Sequence, residues 1–508
     1  MKIITMYLPQ FHTIKENDEW WEDGYTEWTA VRRAVKQYEG HNQPRVPLNN
    51  NYYNLLEYNV MLNQAALMKK YGIDAQCFYH YWFKDGRSVL EKPAENLLKW
   101  PDINMPFCFC WANQSWARSW SAIKDKNSWN SNYTNKASDS EDGVLLEQDY
   151  GMEKEWKKHF DYLLPFFRDN RYLKIENKPV FLFYKSEQIS CLSEMLSVWK
   201  KQAAANGFDG MYIIGAYADE VSGLVLDKLL RMEPQEITAL FRHSREICAC
   251  TLTVYNYDEL WNKLLNYIDR RENVIYGGFV GYDDTPRRGS NGEVIENQSP
   301  ESFKINLSKL LAKNFVNGNN LVFLNAWNEW GEGMYLEPDE KDGYSYLEGV
   351  LYAKEHFTEY VQEFEQLKNI GNSFQVELLQ KENERYKNNW MMLESWLCLK
   401  EKGVRFERYF MHRGIKTIAI YGMGLMGRHL FFELLGSNIE VAYGIDQQGQ
   451  NLNRDLFVYR PDEEFPSVDA VVIAVTSSYE DIINMLKKKG VSNVIILRNI
   501  LSELEKDI

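Results

Sequence analysis

Long apolar runs are absent from this chain: no stretch approaches the roughly 20 uninterrupted apolar residues that a bilayer-spanning helix needs. The N-terminus Met1-Lys2-Ile3-Ile4-Thr5-Met6-Tyr7 runs straight into a polar Pro9-Gln10-Phe11-His12 segment. Neither a signal peptide nor an anchor is therefore expected, and the protein is read as cytoplasmic. Positive charge is scarce as well. Against 72 acidic residues stand 58 Lys and Arg, a formal net charge of -14, which gives no electrostatic footing for phosphate backbones or anionic headgroups. Nucleic acid is not an expected partner. Cysteine is sparse and odd in number, seven in 508 residues, which points to reduced thiols and not to a disulfide framework. Cys108-x-Cys110 and Cys248-x-Cys250 alternate as strand residues do, and no metal site is expected anywhere.

What the chain does have is aromatic surface. It carries 16 Trp and 32 Tyr, and all tryptophans but Trp390 and Trp396 precede residue 331. Such rings suit the CH-rich faces of sugars as well as ordinary cores; composition alone favours packing. Over the first 330 residues, short β-branched or aromatic runs alternate with longer helical patterns, the signature of repeated βα units. Eight strands are expected: Ile3 to Tyr7, Ala75 to Trp82, Pro106 to Trp111, Pro179 to Tyr184, Met211 to Ala216, Cys250 to Tyr255, Val274 to Val280 and Leu321 to Trp327. The spacing predicts an α/β fold: a (β/α)8 TIM-type barrel over residues 1–365, a helical linker over 366–410 and a small Rossmann-like α/β domain over 411–508. In a barrel, chemistry gathers at the C-terminal ends of the strands.

The eighth strand runs into Trp327-Asn328-Glu329-Trp330-Gly331-Glu332-Gly333. Two carboxylates three apart in a tight turn are neighbours, so Glu329 and Glu332 can share one pocket. Repulsion in a poorly hydrated site raises one pKa while the other group stays ionised, the division of labour that glycosidic-bond chemistry uses. The bland alternative is a solvated acidic turn.

Here the chain resembles a known family. Tyr7-Leu8-Pro9-Gln10-Phe11-His12, Glu19-Trp20-Trp21, Gly24-Tyr25-Thr26-Glu27-Trp28, Phe78-Tyr79-His80-Tyr81-Trp82-Phe83, Trp111-Ala112-Asn113, Gly281-Tyr282-Asp283-Asp284-Thr285-Pro286-Arg287-Arg288-Gly289 and the Asn328-to-Gly333 turn together resemble the WbsX-type glycosyltransferases of bacterial lipopolysaccharide and capsule loci. These are themselves similar to the glycoside hydrolase family 99 endo-α-mannosidases. The resemblance covers roughly residues 2 to 360. It implies that Glu329 acts as base on a substrate 2-hydroxyl, giving a 1,2-anhydro sugar, and that Glu332 acts as acid to the leaving group and then as base for the acceptor. It also places Tyr282 in the substrate pocket.

Further substrate contacts are expected from Tyr7, His12, Glu27, His80, Trp82, Trp111, Asn113, Trp327 and Asn328, all at or near strand ends. His12 and Glu27 either meet a sugar hydroxyl or fix each other; His80 points into the barrel mouth or sits satisfied in the core. Arg287 and Arg288 suit a phosphate or carboxylate on the substrate, or an ordinary salt bridge. In the C-terminal domain, Gly422-Met423-Gly424-Leu425-Met426-Gly427 follows a strand and opens a helix, with Asp446 about 20 residues on. That is the dinucleotide fingerprint. Gly422, Gly424, Gly427 and Asp446 are thus candidate cofactor ligands, although about 95 residues amount to only one mononucleotide-type half. An accessory domain that binds nothing is the other reading, and the unit resembles the small Rossmann-like tails of other polysaccharide-locus glycosyltransferases.

The expected partners are a glycan or glycosyl donor and polysaccharide-assembly proteins, and the barrel itself requires no cofactor. The expected activity is glycosyl transfer in lipopolysaccharide or capsular polysaccharide biosynthesis. A retaining endo-acting α-mannosidase-like hydrolase and a glycan-binding scaffold are the alternatives.

Overall fold

The computed structural model describes residues 1–117, 144–240, 245–246, 252–269, 271–447, 456–475 and 479–506. The chain divides into two compact units, Met1–Asn369 and Ile370–Ile508.

The first unit is a parallel barrel. Its strands are β1 Lys2–Tyr7, β2 Ala75–Trp82, β3 Phe107–Trp111, β4 Lys178–Phe183, β5 Tyr212–Ala216, β6 Lys228–Arg231, β7 Val274–Tyr276 continuing as Gly278–Phe279, and β8 Leu321–Asn325. Each pairs with its sequence neighbour. The two halves of β7 pair with β6 on one side and β8 on the other, and β8 pairs with β1, Lys2 opposite Leu321 and Thr5 opposite Leu324. The ring therefore closes on eight strands.

Seven strands lie where the alternation predicts them. The sixth does not: β6 is Lys228–Arg231, and Thr253–Asn256 pairs instead with Glu293–Glu296 outside the barrel. Two buried leucines between a half-buried lysine and a buried arginine make a four-residue strand without the β-branched run that marks the others. Cys248 and Cys250 lie outside the described residues.

Helices follow the strands, among them Tyr58–Lys70, Glu153–Arg168, Leu192–Ala205 and Pro300–Val316. A parallel strand covered by helices is buried on both faces, and here the parity separates them. On β2, Phe78, His80 and Trp82 face the helix layer, whereas Cys77, Tyr79 and Tyr81 face the interior. His80 bonds His159 of the helix Glu153–Arg168, while Cys77 meets Cys108 and Cys110. Cys77, Cys108 and Cys110 are free thiols.

A helix runs over Val361–Glu401. In the second unit Trp396 stacks on Phe406, while Trp390 is exposed. The sheet there has five parallel strands, β9 Thr417–Tyr421, β10 Glu440–Ile445, β11 Val458–Tyr459, β12 Ala470–Ile473 and β13 Val494–Ile496, ordered β11-β10-β9-β12-β13. The strand order reverses between β9 and β12, directly beneath the glycine-rich turn, as in doubly wound folds. Among the described residues no helix is long and apolar enough to cross a membrane.

Candidate active site

Beyond β8 the chain forms a tight hairpin, Asn328 opposite Tyr335 and Glu329 opposite Met334, closed by a 3-10 turn over Trp330–Glu332 and a left-handed Gly333. Its base is fastened from beneath. Asn328 exchanges two hydrogen bonds with the Leu8 backbone, and Trp327 and Trp330 donate their indole N–H groups to Glu337 at 3.0 and 2.8 Å. Tyr53 and Gln64 donate to the same carboxylate, each at 2.7 Å.

The turn is fastened from the side as well. The Asp283 amide donates to the Glu332 carbonyl at 2.7 Å. The Asp283 carboxylate takes hydrogen bonds from His41, Gln43 and Thr285 and lies 3.6 Å from Arg45. Burial alone would raise its pKa, but His41, Arg45 and Thr285 pull it down to about 2. Asp283 is held as an anion.

This scaffold presents Glu329 and Glu332 to Arg287. The guanidinium contacts Glu27 at 2.8 Å and Glu329 at 3.3 Å through Nη2, and donates to Glu332 through Nη1. Glu27 opens the helix Glu27–Arg33, with its amide bonded to the Gln10 carbonyl. Burial alone would lower the arginine's pKa; the charges of Glu27, Glu332 and Glu329 outweigh that and raise it. In Glu329 it is burial that wins. Burial first, and the charge of Glu332 second, lift it to about 8 against the opposing pull of Arg287.

Glycine is required inside this cluster, because a Cβ at Gly331 would lie 1.8 Å from Glu27 Oε1 and 3.0 Å from Arg287 Nε. Tyr79 from β2, Tyr184 after β4 and Tyr282 after β7 surround the pair; burial raises all three hydroxyls, and the charge of Glu332 adds to each. Tyr282 donates to Asp284 at 3.1 Å, and Asp284 is pushed up to about 7, chiefly by burial. Tyr217 packs edge-on to Tyr184 and carries the Lys185 ammonium 3.2 Å above its ring.

Of the residues expected at the substrate, the structure brings together Glu329, Glu332, Tyr282 and Glu27. The others lie elsewhere. Tyr7, His80, Trp82 and Trp111 are on the outward face of their strands, because a one-residue change of parity turns a side chain from interior to helix layer. The Tyr7 hydroxyl donates to Gln64, and Trp82 stacks on His159 at 4.5 Å. Trp82 and Trp111 help line a cavity of about 280 Å³ beside His159 and Trp156.

Trp327 and Asn328 are fully buried ties of the hairpin. Asn113 clamps the Lys185 backbone through both ends of its amide. His12 turns to the Pro9 carbonyl, and burial lowers its pKa to about 4. Tyr79 and Tyr184 stand at the site unforeseen; Tyr79 alternates with His80 on β2, and Tyr184 follows Phe183, which packs on Trp199 of the helix layer.

In the second unit, Gly422 has φ +90, and a Cβ at Gly427 would lie 2.0 Å from the Gly422 carbonyl oxygen. Asp446 accepts from the Met423 amide at 2.8 Å. These features also serve the turn itself. Among the described residues no group of three or more His, Cys, Asp and Glu side chains is arranged to hold a metal ion.

The family described as glycosyltransferase WbsX matches residues 3–350. The chain belongs to that family. The WbsX match takes in the whole of the cluster just described. Two curated relatives, each an uncharacterized protein WxcX from a strain of Xanthomonas campestris pv. campestris, are 31% identical over 362 residues. The alignments take in 69% of this chain and 49% of each relative, so the chain spans about half the length of the curated relatives it matches.

Among solved structures, the GH99 endo-alpha-mannosidase from Bacteroides thetaiotaomicron gives a TM-score of 0.42 at 12% identity, over 71% of this chain and 98% of that one. A glycoside hydrolase-like protein gives 0.42 at 13%, over 70% and 93%.

Proposed function

We propose that the WbsX barrel makes or remodels glycosidic bonds, and that it does so as a glycosyltransferase of bacterial lipopolysaccharide or capsular polysaccharide synthesis acting in the cytoplasm. The observation that carries this reading is the Arg287-bridged pair Glu329 and Glu332 at the barrel mouth. Two carboxylates with unequal surroundings supply an acid and a base to one anomeric centre. Tyr79, Tyr184 and Tyr282 offer ring faces and hydroxyl edges to a sugar, and Glu27 completes the charge cluster. The C-terminal unit is read as an accessory module that recruits assembly partners, since Asp446 is already engaged by its own glycine-rich turn.

A retaining hydrolase is the second reading. Bridging of both carboxylates by one guanidinium keeps them close, and close pairs accompany retention. Incubation of purified protein with sugar nucleotides and with α-mannan fragments, followed by mass spectrometry for wild type and Glu332→Gln, separates the two. Chain extension that the substitution removes supports transfer; shortened glycans that it removes make the enzyme a hydrolase. Binding without turnover of either probe overturns both and leaves a glycan-binding scaffold.

A further inference from the structure

We propose that Lys185 and Tyr217, on the barrel rim beside the carboxylate pair, form a subsite for an oxyanion on the substrate, a carboxylate or a phosphate. This rests on the reading of the Glu329 and Glu332 mouth as the place where a glycan or glycosyl donor is bound.

Three tyrosines pave the rim in a row. Tyr79 of β2 meets Tyr184 after β4 with ring centroids 6.2 Å apart, and Tyr184 meets Tyr217 after β5 at 5.4 Å, both edge-on. Each is half-buried, whereas the residues that precede them, Phe78, Phe183 and Ala216, are buried. The row starts at the carboxylate pair, because the charges of Glu329 and Glu332 reach the hydroxyls of Tyr79 and Tyr184. It ends at Tyr217, where Glu236 and Glu233 are the carboxylates felt.

The far end of the row is conformationally unusual. Tyr217 has φ +47, in the left-handed region that bulky side chains rarely adopt, and such outliers cluster where a side chain is held for a ligand. This backbone sets the ring against the Lys185 ammonium, 3.2 Å from the ring centroid. A ring face attracts a cation but accepts none of its hydrogen bonds at full strength, so the three N–H donors still need oxygen partners.

The protein does not supply them. Among the described residues Nζ makes no hydrogen bond, and its nearest carboxylate is that of Glu187, at 3.9 Å. Glu236 also faces it, from the helix Gln235–Leu240, but that carboxylate accepts from the Met232 amide at 2.8 Å and pairs with Arg231 at 3.3 Å. Burial accordingly lowers the Lys185 pKa by more than Glu187 and Glu236 raise it. Arg287 and Arg288 differ, each being engaged by carboxylates. Lys185 is thus a half-buried point charge with open donors, held by the clamp of Asn113 on its backbone, and lysine in that state suits a phosphate or carboxylate oxygen.

Isothermal titration calorimetry of the full chain tests this without any turnover, with UDP and methyl glucuronide as the two anions and methyl glucoside as the neutral control. Wild type is expected to bind at least one anion. Lys185→Met should weaken that binding about tenfold or more, and Lys185→Arg should restore most of it. Glu187→Gln removes the competing carboxylate and should tighten the same anion about twofold to threefold. Thermal melts check that each variant is folded. Binding of UDP alone identifies the phosphates of a donor, and binding of methyl glucuronide alone identifies an acidic sugar.

The subsite is overturned if wild type binds neither anion, if anion binding is indifferent to Lys185→Met or to Glu187→Gln, or if methyl glucoside is lost equally in folded Lys185→Met. Turnover is scored apart from binding. A chain that binds an anion through Lys185 yet turns over no glycosyl probe defeats the functional reading and leaves the subsite standing.

Discussion

Glu329 on the hairpin and Glu337 just after it are two buried carboxylates, and burial is the first cause of the raised pKa in both, about 8 and about 7. They differ in what else touches them. Glu337 accepts from Tyr53, Gln64, Trp327 and Trp330, four neutral donors that fill its lone pairs and tie the hairpin to the barrel wall. Glu329 faces a second carboxylate and the outer reach of a shared guanidinium. Burial therefore does not separate scaffold from chemistry; the partners do. A saturated carboxylate stabilises the fold, and an unevenly satisfied one keeps a proton available.

The contrast can be broken most forcefully at Glu332. Glu332→Gln should lower kcat/KM by about 10²- to 10⁴-fold with little change in Tm; a comparable loss from Glu337→Gln at unchanged Tm would erase the distinction. Glu337→Ala should instead cost stability, roughly 3 to 4 kcal/mol at about 1 kcal/mol for each stranded donor, seen as a lower urea midpoint.

Gly331→Ala places a methyl 1.8 Å from Glu27 Oε1 and should cut turnover about tenfold to a hundredfold, with the displaced carboxylate visible in a crystal structure. The smallest effect sharpens the comparison through pH. A carboxyl raised from 4.5 to about 8 keeps its proton when the unfolded chain has lost its own, so it destabilises the fold progressively as pH rises through that window. Glu329→Gln should gain about 1 to 2 kcal/mol on wild type between pH 5 and 8, the full linkage being offset by Arg287 losing a partner. A gain that shrinks with rising pH contradicts the raised pKa.

Much of this was legible beforehand, for identifiable reasons. Seven barrel strands announced themselves through β-branched and aromatic runs, and the Glu329-to-Glu332 turn through its spacing. The faces of the strands were not legible. A strand sheathed by helices is apolar on both sides, so Phe78-Tyr79-His80-Tyr81-Trp82 carries no mark of which parity meets substrate. His80 and Trp82 went to the helix layer, and Tyr79 to the mouth. Trp327 and Asn328 misled differently, because a residue beside a turn of candidate site residues can serve to hold it. Arg287 was visible as a cation, while its three carboxylate partners, 260, 42 and 45 positions away in sequence, were beyond local pattern.

The closure of β8 on β1 has a consequence for how the molecule comes into being. Lys2 finds its partner at Leu321, and Glu27 meets Arg287 and the Glu329 turn from the far end of the same unit. On the ribosome, the first strand must wait for more than three hundred residues before its open edge is covered. The charge cluster thus cannot be assembled before β8 has been made, and a polypeptide halted short of β8 lacks both Glu329 and Glu332.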